Sequence, residues 1–201
     1  MQTRRTSAVL AVSAALILAG CSSNDDDKTA EPDLTSAPEA SWSTTGGIAV
    51  PSSEDDGPST DEPVAHGYAH TPQGAVLAAI NGQTLLATAD DGTWVAAANT
   101  VLTPGKGKDQ WVQARALQTV DGTVRQAAEF VCFQVTDYSD DRAQVVLTLR
   151  WPDDKLTAQP TQLAWAGDDW RLVLPDQDNA VDAVEVESLD GCTEFSAETA
   201  D

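Results

Sequence analysis

Cys21 is the residue of this sequence whose surroundings most clearly predict covalent chemistry. It follows two small residues at the end of an uncharged apolar run, 8–19, and two arginines precede that run. A positive start, a short apolar stretch and small residues before a cut are typical of a secretory signal. A cysteine directly after the small residues matches the bacterial lipobox, in which a diacylglyceryl thioether forms and the chain is cut before the cysteine. We therefore predict lipidation of Cys21; an ordinary signal peptide with a chance cysteine is the alternative.

Cys132 and Cys192 remain once Cys21 carries lipid. In an exported protein an even number of cysteines indicates a disulfide. Cys132 lies in a predicted strand and Cys192 in the C-terminal segment, so a bridge would close a long loop. The chain-entropy model gives such a bridge roughly 4 kcal/mol of stabilisation. Two separate buried thiols are the alternative to this predicted bridge.

Two histidines have a spacing that a metal site could use. His66 and His70 are four residues apart, and on a helix they could share a metal ion. Gly67 lies between them, however, and the predicted helix begins only after His70. No third ligand is indicated nearby, so we predict no metal site and expect His70 to pack near the helix start.

Paired carboxylates are the other candidates for chemistry. Such pairs carry out acid–base steps when one member is desolvated. Asp140–Asp141 and Asp168–Asp169 both lie at predicted turns, where we expect all four side chains to be solvated. No nucleophile motif or phosphate-binding loop is recognisable. The sequence therefore predicts no catalytic residue, no cofactor and no metal.

Charge divides the chain into zones. The 201 residues include 11 Lys and Arg against 32 Asp and Glu, a formal net charge of -21. Phosphate would be repelled by such a chain, which excludes a nucleic-acid binder. Acidic residues dominate both ends, and the N-terminal acidic zone also holds half of the prolines. We therefore predict a lipoprotein signal at 1–20, a disordered acidic tether at 21–63, a globular domain at 64–192 and a disordered acidic tail at 193–201.

The predicted globular domain changes its periodicity along the chain. Thr71 and Pro72 predict a helix start, Asn81–Gly82 predicts its stop, and a second helical piece is expected at 83–89. A further helix is predicted at 92–102, and another at 109–118, where a strand is the alternative. Alternating apolar residues then predict two hairpins. Their strands are 128–138, 142–151, 157–166 and 170–174. Helices followed by an antiparallel sheet indicate an α+β fold.

Residues 67–79, GYAHTPQGAVLAA, resemble the signature of an uncharacterised actinobacterial family. The segments 167–175 and 188–191 are similar to the same family, so the resemblance covers about residues 66–192. It implies an NTF2-like (cystatin-like) fold, in which N-terminal helices pack on a curved antiparallel sheet. It also implies lipoproteins or single-span membrane proteins, often encoded in integrative conjugative elements beside transfer genes. It brings no catalytic residues.

These observations together lead us to expect a non-catalytic interaction domain. Lipid on Cys21 would hold it at the extracytoplasmic face of the cell membrane. The expected partner is an envelope protein or a component of a transfer apparatus, with no nucleic acid and no small molecule. The alternative is a small-ligand-binding or isomerase-like protein that uses the cup of an NTF2-like fold. A carboxylate or histidine in that cup would favour an enzyme, but the inward face predicted from the strands is Val, Leu and Trp.

Overall fold

The computed structural model describes residues 31–195, so the predicted signal 1–20, the lipidation site Cys21 and the tail residues 196–201 lie outside the described residues. The described part confirms an α+β fold. Its helices are α1 Pro72–Thr88, α2 Trp94–Val101 and α3 Lys106–Arg115. Its strands are β1 Ser41–Thr45, β2 Ile48–Ser52, β3 Glu129–Ser139, β4 Arg142–Arg150, β5 Leu156–Trp165, β6 Trp170–Leu172, β7 Val184–Val186 and β8 Thr193–Glu194. Between residues 31 and 195 no helix combines the length and the apolar character that crossing a membrane requires.

The larger sheet is antiparallel and has the strand order β6-β5-β4-β3-β8. Its two central hairpins are those that the alternating residues predicted. Ala143, Val145 and Leu147 of β4 are buried together on the face that meets α1. The far edge of this sheet is unusual. Two short strands, β6 and β7, both pair with β5 on the side opposite β4.

Helix α1 begins as predicted but does not end as predicted. Thr71 caps it by accepting a hydrogen bond from the N–H of Gly74, at 2.9 Å. The predicted stop at Asn81–Gly82 is wrong, because the helix continues to Thr88. A Cβ at Gly82 would lie 2.8 Å from Cδ1 of Leu172 in β6. This glycine therefore serves the close packing of the helix on the sheet and does not terminate the helix.

The prediction of a disordered tether at 21–63 is wrong for the residues that form β1 and β2. These strands make an antiparallel hairpin that packs on α1. Val50 is buried there, and the side-chain amide of Asn81 donates to the Pro51 carbonyl at 2.9 Å. Trp42 meets Phe195 edge to face, with ring centroids 5.5 Å apart. The segment has few apolar residues, but those residues pack against α1 and the C-terminal Phe195.

The C-terminal segment is held to β3 by the disulfide that the sequence predicted. Cys132 and Cys192 are bonded, with their Cα atoms 5.8 Å apart. The prediction that residues 193–201 are disordered is wrong at its start, because Thr193–Glu194 forms β8 beside β3. Phe195 then packs on Phe133, with ring centroids 5.1 Å apart. Backbone pairing and aromatic contact thus extend the order beyond the bridge.

Candidate functional site

The loop before α1 is fastened to the β5–β6 hairpin by a buried carboxylate. We expected Asp169 to be solvated, and this is wrong: its relative exposure is 7%. It accepts hydrogen bonds from the backbone N–H groups of Gly67, Tyr68 and Trp170, each at 2.9 Å. Gly67 has φ +82°, a conformation that favours glycine. Both oxygens of the carboxylate therefore accept hydrogen bonds that hold the two loops together, and Asp169 does not line the cavity beside β5.

The two histidines lie apart and have separate partners. The Nδ1 of His66 donates to the Val64 carbonyl at 2.7 Å, and the Nε2 of His70 donates to the Asp140 carbonyl at 2.6 Å. The His70 ring also stacks on Trp165, with ring centroids 4.0 Å apart. Within residues 31–195 no three metal-ligating side chains come together.

Two tyrosines lie close to this loop. Tyr68 is buried, and its hydroxyl has no hydrogen-bond partner within the described residues. Burial, together with the charge of Asp169, raises the pKa of Tyr68 above its ordinary value. Tyr138 is less buried, and its hydroxyl donates to the His70 carbonyl at 3.1 Å. Both side chains support the packing of the loop.

The candidate site is a cavity of about 530 Å³ at the outer edge of β5. It lies between this edge, the helices α1 and α3, and residues 173–181, which follow β6. Its volume is within the ~300–1,000 Å³ of small-molecule sites. Its apolar wall includes Leu86, Trp111 and Leu172. Most of its polar groups are carboxamides, from Gln83, Gln110, Gln144, Gln159, Gln162, Gln177 and Asn179.

The cavity exists because the sheet has a gap at this edge. β6 pairs with residues 163–165 of β5 and β7 pairs with residues 156–158, which leaves 159–162 without a strand beside them. Residues 173–181 cross this gap and form part of the wall. The carbonyl of Leu174 passes so close to Gly107 of α3 that any side chain there would clash with it.

Charged groups hold the crossing segment from outside the cavity. Lys106 lies 3.1 Å from Asp176 and 3.1 Å from Asp178, and all of these groups are outside the lining. The hydrogen bond from Lys106 holds the pKa of Asp176 below its ordinary value. The backbone N–H of Gln177 also donates to Oε1 of Gln110, at 2.9 Å. The segment is therefore tied to α3 at several points.

Four of the lining carboxamides have no hydrogen-bond partner among residues 31–195. Gln83 donates to the Thr161 hydroxyl, and Gln110 accepts from Gln177. The side-chain amides of Gln144, Gln159, Gln162 and Gln177, by contrast, make no hydrogen bond to another group in residues 31–195. Gln144 and Gln162 are opposite each other in the β4–β5 register, whereas Gln159 lies on the other face of the sheet.

Among the described residues that line the cavity, none has a titratable side chain. The wall can therefore donate and accept hydrogen bonds and cover apolar surface, and the Thr161 hydroxyl in it accepts a hydrogen bond from Gln83. Sequence reasoning missed this site. Its glutamines come from several elements, and the alternating apolar pattern of the predicted strands singles out none of them as a site residue.

Comparison with known proteins gives one finding about the family. The model of a family described as a domain of unknown function (DUF8175) matches residues 4–194. No curated protein matches the chain, and no solved structure matches it.

Proposed function

We propose that this chain, which belongs to the family described as a domain of unknown function (DUF8175), has a non-catalytic binding role at the extracytoplasmic face of a membrane. The observation that carries this proposal is the cavity wall, which combines free carboxamides with apolar surface and has no titratable group. Such a wall suits recognition, in which polar groups orient a ligand and apolar groups cover it.

Lipid on Cys21 is the proposed anchor. The support is the lipobox in the sequence, together with a disulfide, which is typical of exported proteins. Metabolic labelling with a radioactive fatty acid should mark the wild-type protein, and Cys21→Ala should abolish the label. A Cys192→Ala variant is the matched control, because it removes a different cysteine and should keep the label. Absence of label in the wild type would remove the anchor from the proposal.

An NTF2-like fold is the finer fold proposal. Three helices precede the long antiparallel strands β3, β4 and β5, which is the order that the resemblance of residues 67–79 implies. The partner that this resemblance favours is an envelope protein, such as a component of a conjugative transfer apparatus.

A photo-reactive residue on the exposed surface tests for that partner. Placed at Leu117, which is 89% exposed, it should crosslink an envelope protein in cells that carry the complete surrounding gene cluster. The same residue at Val181, which is exposed and lines the cavity, compares a second surface. Recovery of no envelope protein from either position would contradict a protein partner.

Small-ligand binding is the second candidate function, and the size of the cavity favours it. It requires no change in the proposed anchor or location. Co-purification of a small molecule with the full chain, detected by native mass spectrometry and lost on unfolding, would support this candidate over the first.

A further inference from the structure

We propose that the cavity at the β5 edge binds a neutral oligosaccharide. The proposal rests on the second candidate function above and names its ligand class. It concerns the gap beside residues 159–162 and the carboxamides around it.

The charge distribution selects against ionic ligands. The chain has a formal net charge of -21, yet no charged side chain lines this cavity. An anionic ligand would be repelled by the surrounding field and would meet no cation in the wall. A cationic ligand would lose its hydration without gaining a carboxylate partner there. A neutral ligand with many hydrogen-bonding groups incurs neither penalty.

The free carboxamides match hydroxyl groups. A carboxamide presents a carbonyl acceptor and an NH₂ donor side by side. Two neighbouring hydroxyls of a sugar ring can therefore bind one amide, the first donating to its oxygen and the second accepting from its nitrogen. Gln159 offers one such group on the face of the sheet that meets α1, and Gln144 and Gln162 offer two more on the opposite face.

An aromatic surface completes the match. Trp111 of α3 lines the cavity together with Leu86 and Leu172. A sugar ring has an apolar C–H face besides its hydroxyls, and the face of an indole is a rigid apolar surface on which such a face can rest. Gln159 lies on the face of the sheet that meets α1, so on that side the wall supplies both kinds of contact that a pyranose requires.

The edge itself disfavours an added peptide strand. An extended peptide pairs with a sheet edge through alternating backbone N–H and C=O groups. The gap spans only residues 159–162, Pro160 has no N–H to donate, and the Gln162 carbonyl already accepts from the N–H of Val173 at 2.8 Å. Because the backbone offers few N–H donors here, a ligand must form its hydrogen bonds mainly with the side chains. This favours a ligand rich in hydroxyls.

Isothermal titration calorimetry of the full chain tests the proposal. The protein is kept in a zwitterionic detergent, because a maltoside detergent would present a sugar of its own. The probes are maltotriose, cellotriose, mannotriose, galactotriose and tri-N-acetylchitotriose. Trigalacturonic acid serves as the anionic comparison and a capped Gly-Ser hexapeptide as the peptide comparison. We expect at least one neutral trisaccharide to bind, and neither comparison ligand.

Variants locate the binding. Gln162→Leu and Gln159→Leu should each weaken trisaccharide binding about tenfold, as expected for the loss of one hydrogen-bonding group. Gln134→Leu is the matched control, because Gln134 is an exposed glutamine of β3 outside the cavity and its loss should leave binding unchanged. Circular dichroism confirms that each variant is folded.

Three results would overturn the proposal: no binding by any neutral trisaccharide, binding of the peptide or the anionic trimer instead, or saccharide binding that both cavity variants leave unchanged. None of these affects fatty-acid labelling at Cys21 or crosslinking from Leu117. Failure of the saccharide proposal is therefore distinguishable from failure of the proposed anchor or protein partner.

Discussion

Replacing Asp169 with asparagine tests how the loop before α1 is held to the sheet. The Oδ1 atom of Asp169 accepts from the N–H groups of Tyr68 and Trp170, and Oδ2 accepts from that of Gly67, each at 2.9 Å. An asparagine retains one acceptor oxygen, so at least one backbone N–H loses its partner and faces an NH₂ group instead.

The expected loss of stability follows from the number and kind of these bonds. A hydrogen bond to a charged group contributes ~1.5–3 kcal/mol, and a buried donor without a partner costs ~1–3 kcal/mol. We expect Asp169→Asn to lower the free energy of unfolding by about 2–4 kcal/mol, a large part of the ~5–15 kcal/mol typical of a domain. Urea denaturation followed by circular dichroism measures this, with the disulfide intact and the slope of the transition unchanged.

Asp168→Asn is the matched control for this variant. Asp168 precedes Asp169 in the same turn, is exposed and has φ 63°, which asparagine adopts more readily than most residues. We expect its free energy of unfolding to stay within about 0.5 kcal/mol of the wild type. A loss in Asp169→Asn no larger than that of the control would refute the conclusion that the three backbone bonds hold the loop.

Three further experiments test the packing of α1 on the sheet, the titration of Tyr68 and the disulfide. Gly82→Ala should cost about 1–3 kcal/mol in thermal denaturation because its Cβ would meet Leu172, whereas Gly92→Ala, with its nearest contact at 3.4 Å, should cost less. Tyr68→Phe should be neutral or stabilise by up to about 1 kcal/mol, since it removes a buried hydroxyl without a partner. Because the pKa of Tyr68 is raised in the folded chain, its neutral form stabilises the fold below pH 10.0, the ordinary pKa of tyrosine. This stabilisation is lost as the pH rises above 10.0 through the raised pKa. The Phe variant should therefore lose less stability than the wild type in denaturation above pH 10.0. Reduction of Cys132–Cys192 should cost roughly 4 kcal/mol in urea denaturation, and an equal midpoint with and without reductant would contradict this.

Local patterns predicted the central hairpins well. On β4 the alternation of Ala143, Val145 and Leu147 depends only on residues within one strand, and the buried face of the sheet is the one it predicted. The start of α1 was equally local, because Thr71 caps an N–H three residues further along the chain. Neither feature needs knowledge of distant residues.

The failed predictions all depend on partners far along the chain. Gly82 ends no helix because Leu172 packs against it. Asp169 is buried because the backbone of Gly67 and Tyr68, about 100 residues earlier, donates to it. The candidate cavity has the same origin, since its glutamines lie on separate elements and only the gap beside β5 brings them together.

The folded N-terminal hairpin also changes the reach of the proposed anchor. Gln73 of α1 donates to the carbonyls of Asp33 and Ser36, at 2.9 and 3.1 Å, so contacts with the domain begin well before β1. From Cys21 to Asp33 is 12 residues, which can extend over at most about 43 Å. A free tether of 43 residues, as the composition predicted, could extend over about 150 Å. If Cys21 carries lipid, the domain therefore stays close to the membrane surface, and any partner or saccharide that it binds must be accessible there.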